Sequence, residues 1–430
     1  MSRPVMNIKN KKVLILGAGI SGCSIAWILK RLGADVTLVE KEEECGGIGK
    51  TYTLDGCKYE FGPHVFHAKK EHTIAFYEKY GVRPIEYYAK MSADDTLKNL
   101  IDFPYSVDTI FQLPREIGRS VVQELFESEK KDIDYTSLES YLKSVVGETL
   151  YKNFNYGYSK KFWGKDPKDI PANGAATWIS LRTDDKRLFL EWQGYPKGDY
   201  NDFMEWVKKD IPMIQANING IKTDSNKVLG VESDTGFLTS DIYISTIPLK
   251  SCFPDMIDDL EWVGNVLVAM KLKNGPVLPE GVGGVYFPNK FGFKRMCEYP
   301  AMTDSEYPNL KNGTLIGFEY NVFPWKKNEI TEQEYIDETT SACKELCGQE
   351  PVATKFHYHK DIYPLRNKEQ LSKYKQIERR VDNYQNFFLN GRFGKFVYVN
   401  MNDCIEMSFD LASEITGKDL DQISNEVDLF

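Results

Sequence analysis

The run Gly17-Ala18-Gly19-Ile20-Ser21-Gly22 stands between an apolar stretch, 12–17 (KVLILG), and a segment with apolar residues at helical spacing, Ile25, Ile28, Leu29 and Leu32. Each glycine has a physical task there. The first permits a tight turn, the second lets bare backbone approach a pyrophosphate, and the third lets the helix pack closely on the strand; the free N–H groups of the helix terminus face the phosphates. Glu40 ends the next apolar run, 35–40 (DVTLVE), where a carboxylate accepts hydrogen bonds from ribose hydroxyls and disfavours a 2′-phosphate. These residues read as a dinucleotide cradle. The fingerprint alone serves NAD and FAD equally.

Cys45-Gly46-Gly47-Ile48-Gly49 makes the choice. It resembles the second glycine motif of the FAD-dependent amine oxidase and sugar mutase superfamily, in which bare backbone passes beside the cofactor. Further on, Phe61-Gly62-Pro63-His64-Val65-Phe66-His67 places two histidines three apart. No third ligand cluster accompanies them, and His357 and His359 alternate along a strand-like run, so no metal centre is expected. The loop resembles the histidine loop of the UDP-galactopyranose mutases. Three more segments are similar to that family in the same order along the chain: 156–164 (YGYSKKFWG), Tyr363-Pro364, and 391–401 (GRFGKFVYVNM).

The resemblance implies an isomerase that interconverts pyranose and furanose forms of a nucleotide sugar, with N5 of reduced FAD attacking the anomeric carbon. It implies catalytic roles for His64, Trp163, Tyr363 and Tyr398. Tyr158 would stack on uracil, Trp163 would wall the sugar, Tyr363 and Tyr398 would hydrogen-bond the diphosphate, and Phe154 and Arg182 would join them at the substrate. The implied cofactor contacts are Gly17, Gly19, Ile20, Ser21, Gly22, Glu40, Lys41, Gly46, Gly47, His64, Ile218, Arg392, Asn400 and Met401. Two departures stand out. Thr177 and Val263 fall where the family carries phosphate-clamping arginines, and Asn400 and Phe396 replace an aspartate and a tyrosine of its carboxy-terminal motif. The nearest arginines are Arg182 and Arg187. Charge-assisted phosphate bonds are worth more than neutral ones. The departures therefore keep an alternative open, an FAD-dependent oxidoreductase of the amine oxidase or desaturase type, and, behind it, a scaffold that binds without catalysis.

The elements that must position these residues follow from periodicity. Strand 12–17, helix 20–32 and strand 35–40 form a βαβ unit. After residue 69, long amphipathic stretches (73–80, 106–126, 137–162) suggest an inserted helical domain. Residues 213–249 alternate short β-like runs with turn signals, a meander that ends in strand 242–247. From 262 to 359 come further strand candidates with one helix, 332–346, and 401–415 reads as a closing helix. The fold class expected is α/β: a Rossmann-like FAD-binding domain (10–70, 196–255, 385–430), the helical domain (71–170), and an antiparallel-sheet substrate domain (171–195, 256–384).

Bulk properties bound the partners. A length of 430 residues calls for two or three domains, and a net charge of −9 speaks against a nucleic-acid surface. No apolar run approaches the roughly 20 residues a membrane span needs, and no export signal follows Met1, so the cytoplasm is expected. The eight cysteines show no CxxC pair. Without a separate nicotinamide domain, reduction calls for a transient donor such as NAD(P)H. Aromatics in the helical region suggest a homodimer.

Overall fold

The computed structural model describes residues 5–127, 132–172, 179, 181–183, 185–256, 260–303, 310, 312–326 and 330–429. Strand Lys12–Leu16, helix Ile20–Arg31 and strand Asp35–Glu40 form the expected βαβ unit. The first strand is central, with Val13 opposite both Val36 and Ile242, and it is apolar on both faces because Val13 and Ile15 pack into one core and Leu14 and Leu16 into another. Met213–Gln215 and Phe387–Leu389 form the edges of this five-stranded parallel sheet. The chain therefore leaves the sheet after Glu40 and returns to it three times. Its last return is locked by Asn390, whose Nδ2 donates to Ser408 Oγ at 2.9 Å, and by helix Met401–Thr416 lying along Ile20–Arg31.

The meander is present as three antiparallel strands, Ile218–Asp224, Lys227–Ser233 and Gly236–Leu238. A seven-stranded sheet forms the second large layer. Its order is Ala353–Pro364, Trp262–Leu272, Thr314–Val322, Arg295–Glu298, Val282–Tyr286, Tyr88–Ser92, Leu100–Phe103, with one parallel pair, Val282–Tyr286 beside Tyr88–Ser92.

Two sequence expectations change here. The segment 71–170 is not helical throughout, since Tyr88–Ser92 and Leu100–Phe103 join the large sheet. Buried Ala89 and Met91 alternate with half-buried Tyr88 and Lys90, but over five residues only. Longer amphipathic helices on both sides mask so short a period. Among the described residues, 171–195 give no strand to the large sheet either, and Arg187 touches it at one isolated bridge to Tyr88. Trp192–Tyr195 pairs instead with Phe66–Ala68 and Arg83–Pro84, fastening the histidine loop.

Candidate active site

A cavity of about 1010 Å³ opens between the two sheets and runs from the glycine loops to the large sheet. Its first end is built from backbone. Gly17 has φ +98°, and a Cβ on Gly22 would lie 1.9 Å from the Gly17 carbonyl oxygen, so that the helix can start here only on glycine. The second glycine loop is laid against the first: Gly46 N donates to Ala18 O at 2.8 Å, and a Cβ on Gly47 would stand 3.3 Å from Gly19 Cα. No side chain caps the helix at Gly19, so its first-turn N–H groups are left for a ligand. Glu40 is held beside them, accepting from Ala18 N at 2.8 Å and from Lys41 N at 3.0 Å. A bare cradle, uncapped donors and a fixed carboxylate are the donor set that the pyrophosphate and ribose of FAD require.

The middle of the cavity carries His64, His67 and Arg392. Buried Nδ1 of His64 has no hydrogen-bond partner. Burial, then the charge of Arg392, lowers the His64 pKa to about 4, so the imidazole is neutral at neutral pH. Its backbone carbonyl accepts from the Tyr200 hydroxyl. His67 stacks on Phe189 at 3.8 Å and faces Asn400 Nδ2 at 3.4 Å. An orphaned ring nitrogen in a dry wall suits a flavin's polar edge. FAD therefore fits this half of the cavity.

The far end is made of side chains. Phe162 and Tyr363 lie 4.8 Å apart, Tyr363 and Tyr398 5.3 Å, and Trp163 meets Tyr398 edge-on at 6.2 Å. The Arg392 guanidinium sits 5.4 Å from the rings of both Tyr363 and Tyr398 and donates to the Val399 carbonyl at 2.9 Å. Opposite, Arg295 grips Glu319 in a two-toothed pair, 2.8 and 2.9 Å, and reaches the Tyr286 hydroxyl at 3.1 Å; Tyr286 in turn meets Tyr158 edge-on. Burial would raise the Glu319 pKa, but Arg295 and Lys294 outweigh it and hold the carboxylate ionised. Burial also raises the pKa of Tyr363 and Tyr398, which therefore remain protonated donors.

Most of the residues singled out in the sequence line this one cavity: Gly17, Gly19, Ile20, Ser21, Glu40, Lys41, Gly46, Gly47, His64, Ile218, Arg392, Asn400 and Met401 on the cofactor side, and Tyr158, Trp163, Tyr363 and Tyr398 beyond. Three do not. Gly22 packs beneath the loop. Phe154, within the π-turn Tyr151–Asn155, is buried against Tyr105 and does not line the cavity. Arg182 turns to the carbonyls of Arg187 and Leu188, at 2.5 and 3.3 Å, and Arg187 pairs with Asp185. Val263 is a buried strand residue opposite Tyr363, and Thr177 lies outside the described residues. An arginine of another strand, Arg295, lines the same cavity. Sequence reasoning missed Arg295, Lys294 and Glu319. The signal was there: a lone glutamate in the apolar run GTLIGFEY has to have a buried cationic partner.

Comparison with known proteins adds two family matches, an NAD(P)-binding Rossmann-like domain over residues 15–80 and UDP-galactopyranose mutase over residues 153–344. A dTDP-fucopyranose mutase of Escherichia coli is 32% identical over 202 residues, 45% of this chain; the match spans 53% of the relative's length, about half of it. A UDP-galactopyranose mutase of Mycoplasma genitalium is 23% identical over 426 residues, covering 95% of this chain and 96% of the relative. The fold is similar to a crystal structure of reduced UDP-galactopyranose mutase, with a TM-score of 0.79 and 15% identity over 98% of this chain and 99% of the other.

Proposed function

Because this chain is a divergent member of the UDP-galactopyranose mutase family, we propose that it interconverts the pyranose and furanose forms of a nucleotide sugar. The far end of the cavity carries this reading: a wall of aromatic rings crossed by Arg295 and Arg392, continuous with the FAD cradle. Bound there in reduced form, the flavin supplies an electron-rich nitrogen as the nucleophile. The side chains of the protein do the rest. Arg295 and Arg392 oppose the charge that gathers on a departing diphosphate. The protonated phenols of Tyr363 and Tyr398 donate to its oxygens. Tyr158 and Tyr286 offer ring faces to a pyrimidine base, and Trp163 and Phe162 keep water from the sugar.

An oxidase of amines or polyenes would not need two arginines at its substrate end, and this ranks the hydride-accepting alternative second. The test is incubation of the reduced holoprotein with UDP-galactopyranose, UDP-arabinopyranose and dTDP-linked pyranoses. Furanose product from one of them is expected, and absence of both product and nucleotide binding would sink the proposal.

Among the described residues no helix is long and apolar enough to cross a membrane. With the mutase reading go a cytoplasmic setting, recharging by a transient reductant such as NAD(P)H, and a homodimer. Flavin bleaching by NADPH and sedimentation of the holoprotein check the last two.

A further inference from the structure

Lys294 has no part in the chemistry above, yet it lines the same cavity. It immediately precedes strand Arg295–Glu298 and is 1% exposed. Its ammonium lies 2.6 Å from Asn321 Oδ1 and 3.5 Å from Glu319 Oε2, between the rings of Phe162, at 4.9 Å, and Tyr363, at 5.1 Å. Glu319 cannot neutralise it fully, because both carboxylate oxygens are already engaged by Arg295. A buried cation without a full counter-charge is costly.

Lys294, Arg295 and Arg392 face the cavity, and among the described residues Glu319 is the one carboxylate that pairs with them, leaving a surplus of two positive charges. The diphosphate of a nucleotide sugar carries two negative charges. An ammonium has three donors, of which Asn321 and Glu319 take two.

We propose that Lys294 is a third cation of the diphosphate subsite, beside Arg295 and Arg392, its third N–H directed at a phosphate oxygen of a nucleoside-diphosphate sugar. The proposal rests on the nucleotide-sugar reading of the cavity. The groups facing Lys294 are Glu319, Arg295, Cys297 and Tyr363. Burial lowers its pKa to about 8, with Glu319 opposing that shift, so part of the free protein carries a neutral amine just above neutrality. An arriving diphosphate restores the charge by drawing in a proton.

The test is calorimetric titration of UDP, dTDP and uridine into the FAD-loaded protein at pH 8, in two buffers of different ionisation enthalpy. Wild type takes up a fraction of a proton with UDP and none with uridine. Lys294→Met weakens UDP by about 10- to 100-fold, the range for a lost charge-assisted hydrogen bond. It leaves uridine within about twofold and abolishes the proton uptake, while Lys294→Arg restores the affinity. Wild type that binds UDP without proton uptake, or a Lys294→Met protein with an unchanged ratio of UDP to uridine affinity, overturns the role of Lys294 and leaves the mutase reading standing. Wild type that binds neither UDP nor dTDP overturns both. The wild-type measurement decides even if the methionine variant does not fold.

Discussion

The two ends of one cavity are built in opposite ways. The cofactor end is mainly backbone: Gly17, Gly19, Gly46 and Gly47 face the cavity with nothing beyond Cα, and the Glu40 carboxylate is tied to the Ala18 N–H. The substrate end is side chain: strand register brings Arg295, Glu319 and Tyr363 together from three separate places in the chain, and Tyr398 joins them from the segment before helix Met401–Thr416. A backbone site tolerates no added atom, and a side-chain site tolerates no lost one.

The sharpest way to break that contrast is Gly22→Ala. The new Cβ falls 1.9 Å from a carbonyl oxygen, so the strand–helix turn has to open at a cost of about 3 kcal/mol or more, the upper range for overpacking. The expected outcome is protein purified without yellow colour and with a lowered melting temperature. Full flavin occupancy in that variant would show that the loop is not held by backbone contact.

Next comes Arg295→Met. It removes the partner that holds Glu319 and a cation from the proposed diphosphate subsite. Removing one partner of a buried pair destabilises by about 3 to 5 kcal/mol. Nucleotide affinity should fall about 100-fold while flavin content stays near wild type, as UDP titration and absorbance will show. The double variant Arg295→Met/Glu319→Gln separates the two effects. It regains part of the stability, because the stranded carboxylate is gone while Lys294 loses its own counter-charge, but not affinity. If affinity returned too, the arginine would be serving the fold alone.

These two variants also show why one end was legible in the sequence and the other only in part. A helix that starts against a strand carbonyl needs glycine at a fixed spacing, so the constraint is written within a few consecutive residues, and so is the βαβ unit around it. Tyr158, Trp163, Tyr363 and Tyr398 could be named because they sit in local motifs. Arg295 and Glu319 are brought opposite each other by a ladder pairing Arg295–Glu298 with Thr314–Val322, and no local spacing records it. The expected phosphate arginines were therefore sought at aligned positions, Thr177 and Val263, and not across the sheet. Strands Tyr88–Ser92 and Leu100–Phe103 were hidden by their shortness.

A smaller effect lies where the two ends meet. The folded-state pKa of His64, about 4, lies below the usual histidine value, so between roughly pH 6.5 and 4 the unfolded chain binds the extra proton. Its contribution to stability is complete above the unfolded value and is lost as the pH falls through that window. A His64→Asn variant should lose less melting temperature than wild type between pH 6.5 and 4, and the two profiles should run parallel from pH 7 to 8. Parallel profiles at every pH would mean that His64 is already solvated or paired.

The smallest change sharpens the comparison most finely, because Asn400 marks the edge of the cofactor end. Its backbone N–H donates to Asp403 in the cap of helix Met401–Thr416, and its amide faces His67 beside the cofactor half. Asn400→Asp restores the aspartate of the family's motif. As an N-cap the two residues are nearly equivalent, and a negative charge at a helix amino terminus is favourable, so stability should move by about 0.5 kcal/mol or less. The charge nonetheless lies beside His67, whose pKa is lowered by burial. A carboxylate there favours imidazolium, so His67 should titrate at higher pH in the variant, visible in the imidazole NMR signals, while UDP affinity stays put. If UDP affinity changed and the His67 titration did not, Asn400 would belong to the substrate end, and the boundary between the backbone-built and side-chain-built halves would have to move past it.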